Sequence, residues 1–290
     1  MPELPEVEGV VRQIRPAAIG KKIQDVYVSD IIRVSKRNGK EAIIKRMEAD
    51  GFIESLIGAQ IMSVERRSKY IYFTMKTPEN EFLLVNHLGM SGAWFYVDHL
   101  MSIAEEKFRR HVHVVLTLSD GNLLAYSDIR RFGEMRVLQE EGDFPPLLLM
   151  APEPFEEGAL AHFLRMSESP KYKAKPIKEV IMDGQIISGC GNIYATEALY
   201  KMKLHPNRAA GRISRQRKIE LFETIVAILL ESIEAGGSTI SDYRNVNGES
   251  GSMQNRFGMY GKKQCTECGN ATKTLKIGGR ASVYCPTCQK

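Results

Sequence analysis

Apolar residues recur at helical spacing from the start of the chain: Val7, Val10, Val11 and Ile14 fall on one face of a helix. Pro16 and Gly20 break that pattern. Residues 22–28, 60–64, 70–75, 81–86, 93–97, 111–118, 122–127 and 134–138 then read as strands, and Tyr70-Ile71-Tyr72-Phe73-Thr74-Met75 is rich in the aromatic and β-branched residues that favour one. Turns such as Ser119-Asp120-Gly121-Asn122 are short. So many closely spaced strands predict a β-sandwich or barrel with the first helix packed on it. The pattern shifts at Asp143-Phe144-Pro145-Pro146 and Ala151-Pro152-Glu153-Pro154, which predict a linker. Past it the period is helical. Leu160, Phe163 and Leu164 share a face, as do Ile177, Val180 and Ile181; a third face of Ile219, Phe222, Ile225, Val226 and Leu229 ends at Gly236-Gly237. The chain thus divides into a strand-rich unit over 1–141, a linker over 142–154, a helical unit over 155–259 and a terminal segment over 260–290. The fold class is multidomain α+β.

Composition agrees with this division. A chain of 290 residues with 43% hydrophobic content suits two domains and a small appendage. The formal net charge of +5 permits an anionic partner without requiring one. No apolar run is long enough to span a bilayer, so no membrane association is expected. The N-terminus is acidic and proline-rich, without the basic-then-apolar pattern of a signal peptide, which predicts a cytoplasmic protein. In that reducing compartment five cysteines point to metal or chemistry and not to disulfides.

Four of the five cysteines form two pairs, Cys265-x-x-Cys268 and Cys285-x-x-Cys288, sixteen residues apart. This is tetrathiolate spacing for one structural Zn2+, closed and without an open coordination position. The interval fits a β-hairpin with strands at 272–277 and 281–284, Gly278-Gly279 in its turn and Arg280 at its tip. Residues 241–290 hold eight Lys/Arg against three Asp/Glu, so the hairpin can serve as a phosphate contact; a solvated surface loop is the plainer alternative for Arg280.

Chemistry is also encoded in Met1-Pro2-Glu3-Leu4-Pro5-Glu6-Val7-Glu8. Methionine is readily removed before a residue as small as proline. Pro2 would then carry a free secondary amine, and an α-amino group titrates at about 7.7–8.0, so a fraction is unprotonated at neutral pH. A secondary amine that attacks a sugar carbon yields a permanently charged iminium, an electron sink for elimination. Glu3 beside it can move protons. Taken alone, the stretch reads more simply as an ordinary helix start, with proline and acids in the first turn.

Further motifs decide between these readings. Arg66-Arg67-Ser68-Lys69-Tyr70, His87-Leu88-Gly89-Met90-Ser91-Gly92, Asp128-Ile129-Arg130-Arg131-Phe132-Gly133 and Gly189-Cys190-Gly191-Asn192-Ile193-Tyr194 occur in that order between the N-terminal stretch and the cysteines. The sequence resembles the formamidopyrimidine-DNA glycosylases, bacterial bifunctional repair enzymes for oxidised purines, from Pro2 to Cys288. Leucine in Pro-Glu-Leu-Pro-Glu sets it apart from the related endonuclease VIII group, which usually has glycine there. The resemblance implies an N-terminal β-sandwich with a packed helix, a helix-two-turn-helix domain and a C-terminal zinc-finger hairpin.

It also implies roles. Pro2 matches the nucleophile that attacks C1′ of the damaged nucleotide, Glu3 the proton-transfer acid and Glu6 the carboxylate supporting the active-site helix. Lys69 matches a catalytic lysine near the lesion and its phosphate. Arg280 joins the catalytic set and, with His87, matches contacts to the DNA backbone. Met90, Arg130 and Phe132 match the residues that fill the gap left by an extruded base. Gly189–Tyr194 matches the phosphate-binding turn, with Asn192 adding an amide. Tyr243–Gln254 matches a variable loop over the everted purine, and Gly248 and Gly251 predict that it is mobile.

Three positions depart from common family forms: Ser68 replaces a glycine, Gly89 an arginine and Cys190 an aliphatic residue. The implied partner is damaged double-stranded DNA, bound by a monomer at the nucleoid, since no segment reads as a dimer seam. The alternatives are an endonuclease VIII-like glycosylase for oxidised pyrimidines, or a lesion-binding protein without chemistry if Met1 stays in place and blocks Pro2.

Overall fold

The computed structural model describes residues 2–239 and 243–290. By contacts the chain forms two units, one running to Leu148 and including Gly236–Ser252, the other Leu149–Ala235 with Met253–Lys290.

The first unit opens with α1 (Leu4–Ala18), which buries Leu4, Val7, Val10, Val11, Ile14 and Ala18. Pro16 does not end it. So close to the C-terminus a proline forfeits one backbone hydrogen bond and no more, and the helix runs on to Ala18 before Gly20 turns at φ +83°. There follow β1 (Ile23–Val28), α2 (Asp30–Arg37), β2 (Ile43–Ile44), α3 (Ala49–Leu56), β3 (Gln60–Arg67), β4 (Tyr70–Lys76), β5 (Glu81–His87), β6 (Gly92–Val97), α4 (Glu106–Arg109), β7 (Val112–Leu118), β8 (Leu123–Asp128) and β9 (Glu134–Leu138). A four-stranded sheet has the order β1-β7-β8-β6 and a five-stranded sheet the order β2-β9-β5-β4-β3. Two open sheets make this a sandwich and not a barrel. The inward residues of both, among them Val26, Phe73, Leu84, Trp94, Leu116 and Tyr126, meet in one core with the apolar face of α1. Trp94 is fully buried and donates its indole N–H to Asn86 Oδ1 at 2.8 Å, so the indole nitrogen is satisfied inside the core.

The eight strands expected for this unit are all present. The sequence missed α2, α3, α4 and β2. The last is only two residues long, too short to show a period, and pairs in parallel with β9.

Segment 236–252 packs with this unit although it follows the helices in sequence. Tyr243 and Val246 enter the sandwich core. The Tyr96 N–H reaches Val246 O at 3.4 Å, the Val246 N–H donates to Gln13 Oε1 at 2.8 Å, and Arg244 Nε donates to Glu105 Oε1 at 2.6 Å. Gly248 does adopt φ +80°, as a loop glycine would, but residues 243–246 are anchored along their length.

The second unit contains α5 (Ala159–Glu168), α6 (Ile177–Met182), α7 (Asn192–Lys201), α8 (Arg215–Glu234) and a hairpin of β10 (Lys273–Ile277) with β11 (Arg280–Tyr284). Helix α7 is central and buries every residue from Ile193 to Leu199. Helix α8 buries Leu221, Phe222, Ile225, Ile228 and Leu229, a face rotated slightly from the expected one, so that Ile219 and Val226 lie at its margin. Glu197, on α7 and 3% exposed, accepts the backbone N–H groups of Gly258, Met259 and Tyr260 at 2.8, 3.0 and 2.6 Å. That carboxylate fastens the approach to the hairpin onto the central helix. No described helix is long and apolar enough to cross a membrane.

Candidate active site and nucleic-acid interface

The N-terminus is held by a carboxylate. Pro2 and Glu3 are buried, and Glu3 caps α1 in extended backbone at φ −104°. Its N–H donates to Glu6 Oε2 at 2.8 Å. The other Glu6 oxygen accepts both the N–H and the hydroxyl of Ser238, at 2.7 and 2.9 Å. Gly237 must be glycine here: it sits at φ +81°, and a Cβ would approach Glu6 Cγ to 3.1 Å. The Tyr243 hydroxyl donates to the Glu6 carbonyl at 3.2 Å. Glu6 is therefore an anchor that fixes the backbone carrying Pro2 and Glu3.

Lys69 lies in the two-residue turn between β3 and β4. Ser68 before it takes φ +56°, a left-handed conformation that glycine adopts with less strain. Arg66 braces the turn by donating from Nη1 to Ser68 O at 3.1 Å, and from Nε to Glu8 Oε2 at 2.9 Å. Burial alone would raise the Glu8 carboxyl, but hydrogen bonds and charge from Arg12 and Arg66 outweigh it and hold the group below its ordinary value. The Glu8–Arg66 pair thus couples α1, which carries the candidate nucleophile, to the turn that carries Lys69.

The sheet brings His87 beside that turn, with Tyr70 opposite it in the β4–β5 register and the two rings 4.9 Å apart. Burial, assisted by the Lys69 charge, pushes the His87 imidazole down to about 4. The ring is neutral at physiological pH. Its Nδ1 accepts the Gly89 N–H at 3.1 Å, so its proton sits on Nε2, which is left as a donor.

Met90 and the Arg130–Phe132 loop are built as one piece. Asp128, fully buried, accepts the Ser91 hydroxyl at 2.7 Å, the Gly133 N–H at 2.8 Å and the Arg130 N–H at 3.2 Å; the last also reaches Ser91 Oγ at 2.9 Å. Arg131 adopts φ +56° between Arg130 and Phe132. This brings its neighbours together: the Arg130 guanidinium lies 4.8 Å from the centre of the Phe132 ring, which is 56% exposed. Gly89 has φ +66°, and a Cβ there would come within 2.5 Å of the backbone of Phe132 and Gly133. A side chain does not fit this approach, and glycine is what allows it.

The second unit carries the remaining candidates. Gly189 turns at φ +77° and Gly191 caps the ten-residue helix α7, so the turn leads straight into the helix N-terminus at Asn192. Asn192 Oδ1 is buried without a hydrogen-bond partner among the described residues. Cys190 is buried, a small apolar filler in that turn. In the hairpin Gly278 and Gly279 both have positive φ, and Arg280, exposed, is the first residue of the returning strand, paired with Ile277.

The sulfurs of Cys265, Cys268, Cys285 and Cys288 lie within 4.8 Å of one another, with Cys265–Cys288 at 3.9 Å and Cys268–Cys285 at 3.5 Å. A zinc ion about 2.3 Å from four tetrahedral sulfurs separates them by roughly 3.8 Å, so the residues fit one structural Zn2+.

Every residue expected at the site is therefore placed. Pro2, Glu3, Glu6, Lys69, His87, Met90, Arg130 and Phe132 belong to the first unit, and Asn192, Arg280 and the four cysteines to the second. The sequence reading missed the supports: Glu8 with Arg66, Ser91 with Asp128, and Gly237-Ser238. Asp128, Ser91, Arg66 and Glu8 stand inside the motifs quoted above and Gly237 in the glycine pair that ends a helical face, yet nothing there marks them as supports; Ser238 has no local signal.

Three family descriptions match in order: the formamidopyrimidine-DNA glycosylase N-terminal domain over 1–135, its H2TH domain over 150–244 and a zinc finger found in FPG and IleRS over 262–290. The chain is 39% identical to the formamidopyrimidine-DNA glycosylase of an Exiguobacterium species over the whole of both, and 35% identical to that of Brevibacillus brevis over 100% of this chain and 99% of the other. Among solved structures it resembles the MutM (Fpg) protein of Thermus thermophilus, with a TM-score of 0.81 at 32% identity, covering 99% of this chain and 98% of that one. It also resembles the Lactococcus lactis Fpg in complex with DNA containing an abasic site, with a TM-score of 0.82 at 28% identity over 99% of each chain. With full-length relatives, three matching domains in one order and a zinc site of the right shape, the chain belongs to the formamidopyrimidine-DNA glycosylase family.

Proposed function

We propose that Pro2, freed of Met1, is the nucleophile through which this chain acts on damaged double-stranded DNA. The chain is a bifunctional DNA glycosylase and abasic-site lyase of base excision repair, directed at oxidised purines. In our reading the Pro2 nitrogen attacks C1′, and the damaged base leaves with the glycosidic electron pair and a proton. Glu3 moves protons at the sugar. The opened sugar is then an iminium on Pro2. Loss of a proton from C2′ drives electrons into that iminium and expels the 3′ phosphate; a second elimination expels the 5′ phosphate. Neutral His87 donates from Nε2 to the DNA backbone, and Lys69 supplies positive charge beside it. Met90, Arg130 and Phe132 fill the vacated stack, which offsets part of the few kcal/mol that base extrusion costs. Asn192, the amides behind it and Arg280 bind phosphates. We place the protein in the cytoplasm, at the nucleoid, as a monomer.

The observation that carries this reading is the Glu6 anchor, which fixes the residues next to the candidate amine through three hydrogen bonds. Borohydride added to protein and 8-oxoguanine duplex is expected to trap a covalent adduct. Intact mass gives the control: if the methionine is gone and no adduct forms, Pro2 is not the nucleophile. Retention of Met1 with tight lesion binding would instead identify a binding protein without chemistry.

A further inference from the structure

The chain's positive charge is concentrated in two segments of the second unit. Residues 169–178 and 205–219 hold nine Lys/Arg and no Asp/Glu, so the remaining 31 Lys/Arg and 35 Asp/Glu leave the rest of the chain at net −4. The fold brings these segments together. The Ile177 N–H donates to Arg208 O at 2.8 Å, the Ala210 N–H to Lys175 O at 2.9 Å and the Gly211 N–H to Lys173 O at 2.7 Å, with Pro176 and Ala209 bridged as in an antiparallel ladder. A Cβ at Gly211 would meet Lys173 O at 2.9 Å, so glycine lets the two strands close.

Four cations on this ribbon, Lys171, Lys173, Arg208 and Arg212, are exposed, and none pairs with an Asp or Glu side chain among the described residues; Lys171 lies over the Tyr172 ring at 4.7 Å, and Arg208 makes only a long contact to Lys290 O at 3.5 Å. The other five are engaged or buried: Lys175 pairs with Glu179, Arg215 and Lys218 with Glu168, Arg217 donates from Nη2 to Met202 O at 2.5 Å, and Lys178 donates to Thr196 inside the unit.

The ribbon adjoins both phosphate-binding features of this unit. It leads directly into the N-terminus of α6, whose C-terminus leads to the Gly189–Asn192 turn. Six helical residues span about 9 Å, roughly three base steps of 3.4 Å. On the same helix, Glu179 and Met182 pack against the hairpin turn beside Arg280: a Cβ at Gly278 would lie 3.3 Å from Glu179 Cγ and 3.6 Å from Met182 Cε. We infer that Lys171, Lys173, Arg208 and Arg212 form a second phosphate-binding strip, which grips the duplex flanking the lesion and carries no base information. The inference rests on the proposed function for the duplex as partner. It adds a site that the catalytic and gap-filling residues do not use. Unpaired cations on a rigid ribbon suit a phosphodiester backbone, because each neutralised phosphate releases a counterion.

The test compares the full-length protein with a K171Q/K173Q/R208Q/R212Q variant, binding a long undamaged duplex and a short duplex limited to the lesion site. For the long duplex the slope of log affinity against log salt is expected to be shallower in the variant by about 0.9 for each contact removed, thus by roughly 2–4 in all. On the short abasic duplex the borohydride trapping rate is expected to be unchanged. The milder K171Q/K173Q variant, with half the loss, guards against a folding defect. Equal slopes for variant and parent would overturn the strip. A slope change as large on the short duplex would overturn its flanking position. Failure of both proteins to trap an adduct would sink the proposed chemistry, yet the slopes on undamaged DNA would still report on the strip.

Discussion

Glu6 accepts three donors on one carboxylate, and a neutral amide cannot do the same, because its NH2 must face at least one of them. Glu6→Gln is expected to cost ~1–3 kcal/mol in urea unfolding. It should also slow single-turnover adduct formation on the order of 10²-fold, the effect of about 1 Å of misplacement at a reacting centre. A destabilised protein that traps at the parent rate would make Glu6 structural only. His87 gives a pH dependence. The unfolded chain protonates it near 6.5 but the folded chain only near 4, so between these values the unfolded state binds more protons. Its contribution to stability is complete above about 6.5 and is lost as the pH falls towards 4. Denaturant unfolding at stepped pH should show a flatter profile across that window for His87→Asn. At this scale Pro2 and Glu3 could be proposed from the sequence because the two groups are adjacent in it. Glu8 and Arg66 were not: they are 58 residues apart, and only the packing of α1 against β3 makes them neighbours.

Among the elements, the loop from Asp128 to Gly133 shows how backbone geometry sets side chains. A β-branched residue at Arg131 would resist φ +56°, whereas glycine would not. Arg131→Val is therefore expected to lose ~1–2 kcal/mol and Arg131→Gly much less. Fluorescence of a 2-aminopurine next to the lesion would report whether Arg130 and Phe132 still enter the stack; equal signals for the two variants would argue against a role for the backbone. Gly89→Arg, although it restores a common family residue, should push the two loops apart and reduce base extrusion, read by the same probe. The strands of the sandwich were legible because each is long enough to display its alternation. Helices α2 and α3 were not, since each is eight residues long and buries only one or three side chains.

For the whole molecule, zinc and sequence continuity decide what holds together. Removal of the metal by a chelator is expected to unfold the hairpin, since structural zinc contributes about 10–16 kcal/mol in comparable small sites. That releases Arg280 from its place beside α6. Binding to duplex should weaken and lose part of its salt dependence, while the sandwich keeps its near-ultraviolet signal from the buried Trp94. Loss of both signals together would show that the units do not unfold separately. The cysteine spacing made this module plain in the sequence. The allegiance of residues 236–252 was not plain, because nothing in their composition says which core Tyr243 and Val246 enter.

That allegiance has a consequence for synthesis. The carboxylate that steadies the N-terminus at residue 6 finds its serine partner at residue 238, and a ribosome delivers the first long before the second. A nascent chain can assemble both sheets and still lack the clamp on its reactive end. If Pro2 acts as proposed, its amine is set in place only after the helical domain has been made, so its chemical competence arrives late, when the rest of the chain has been synthesised.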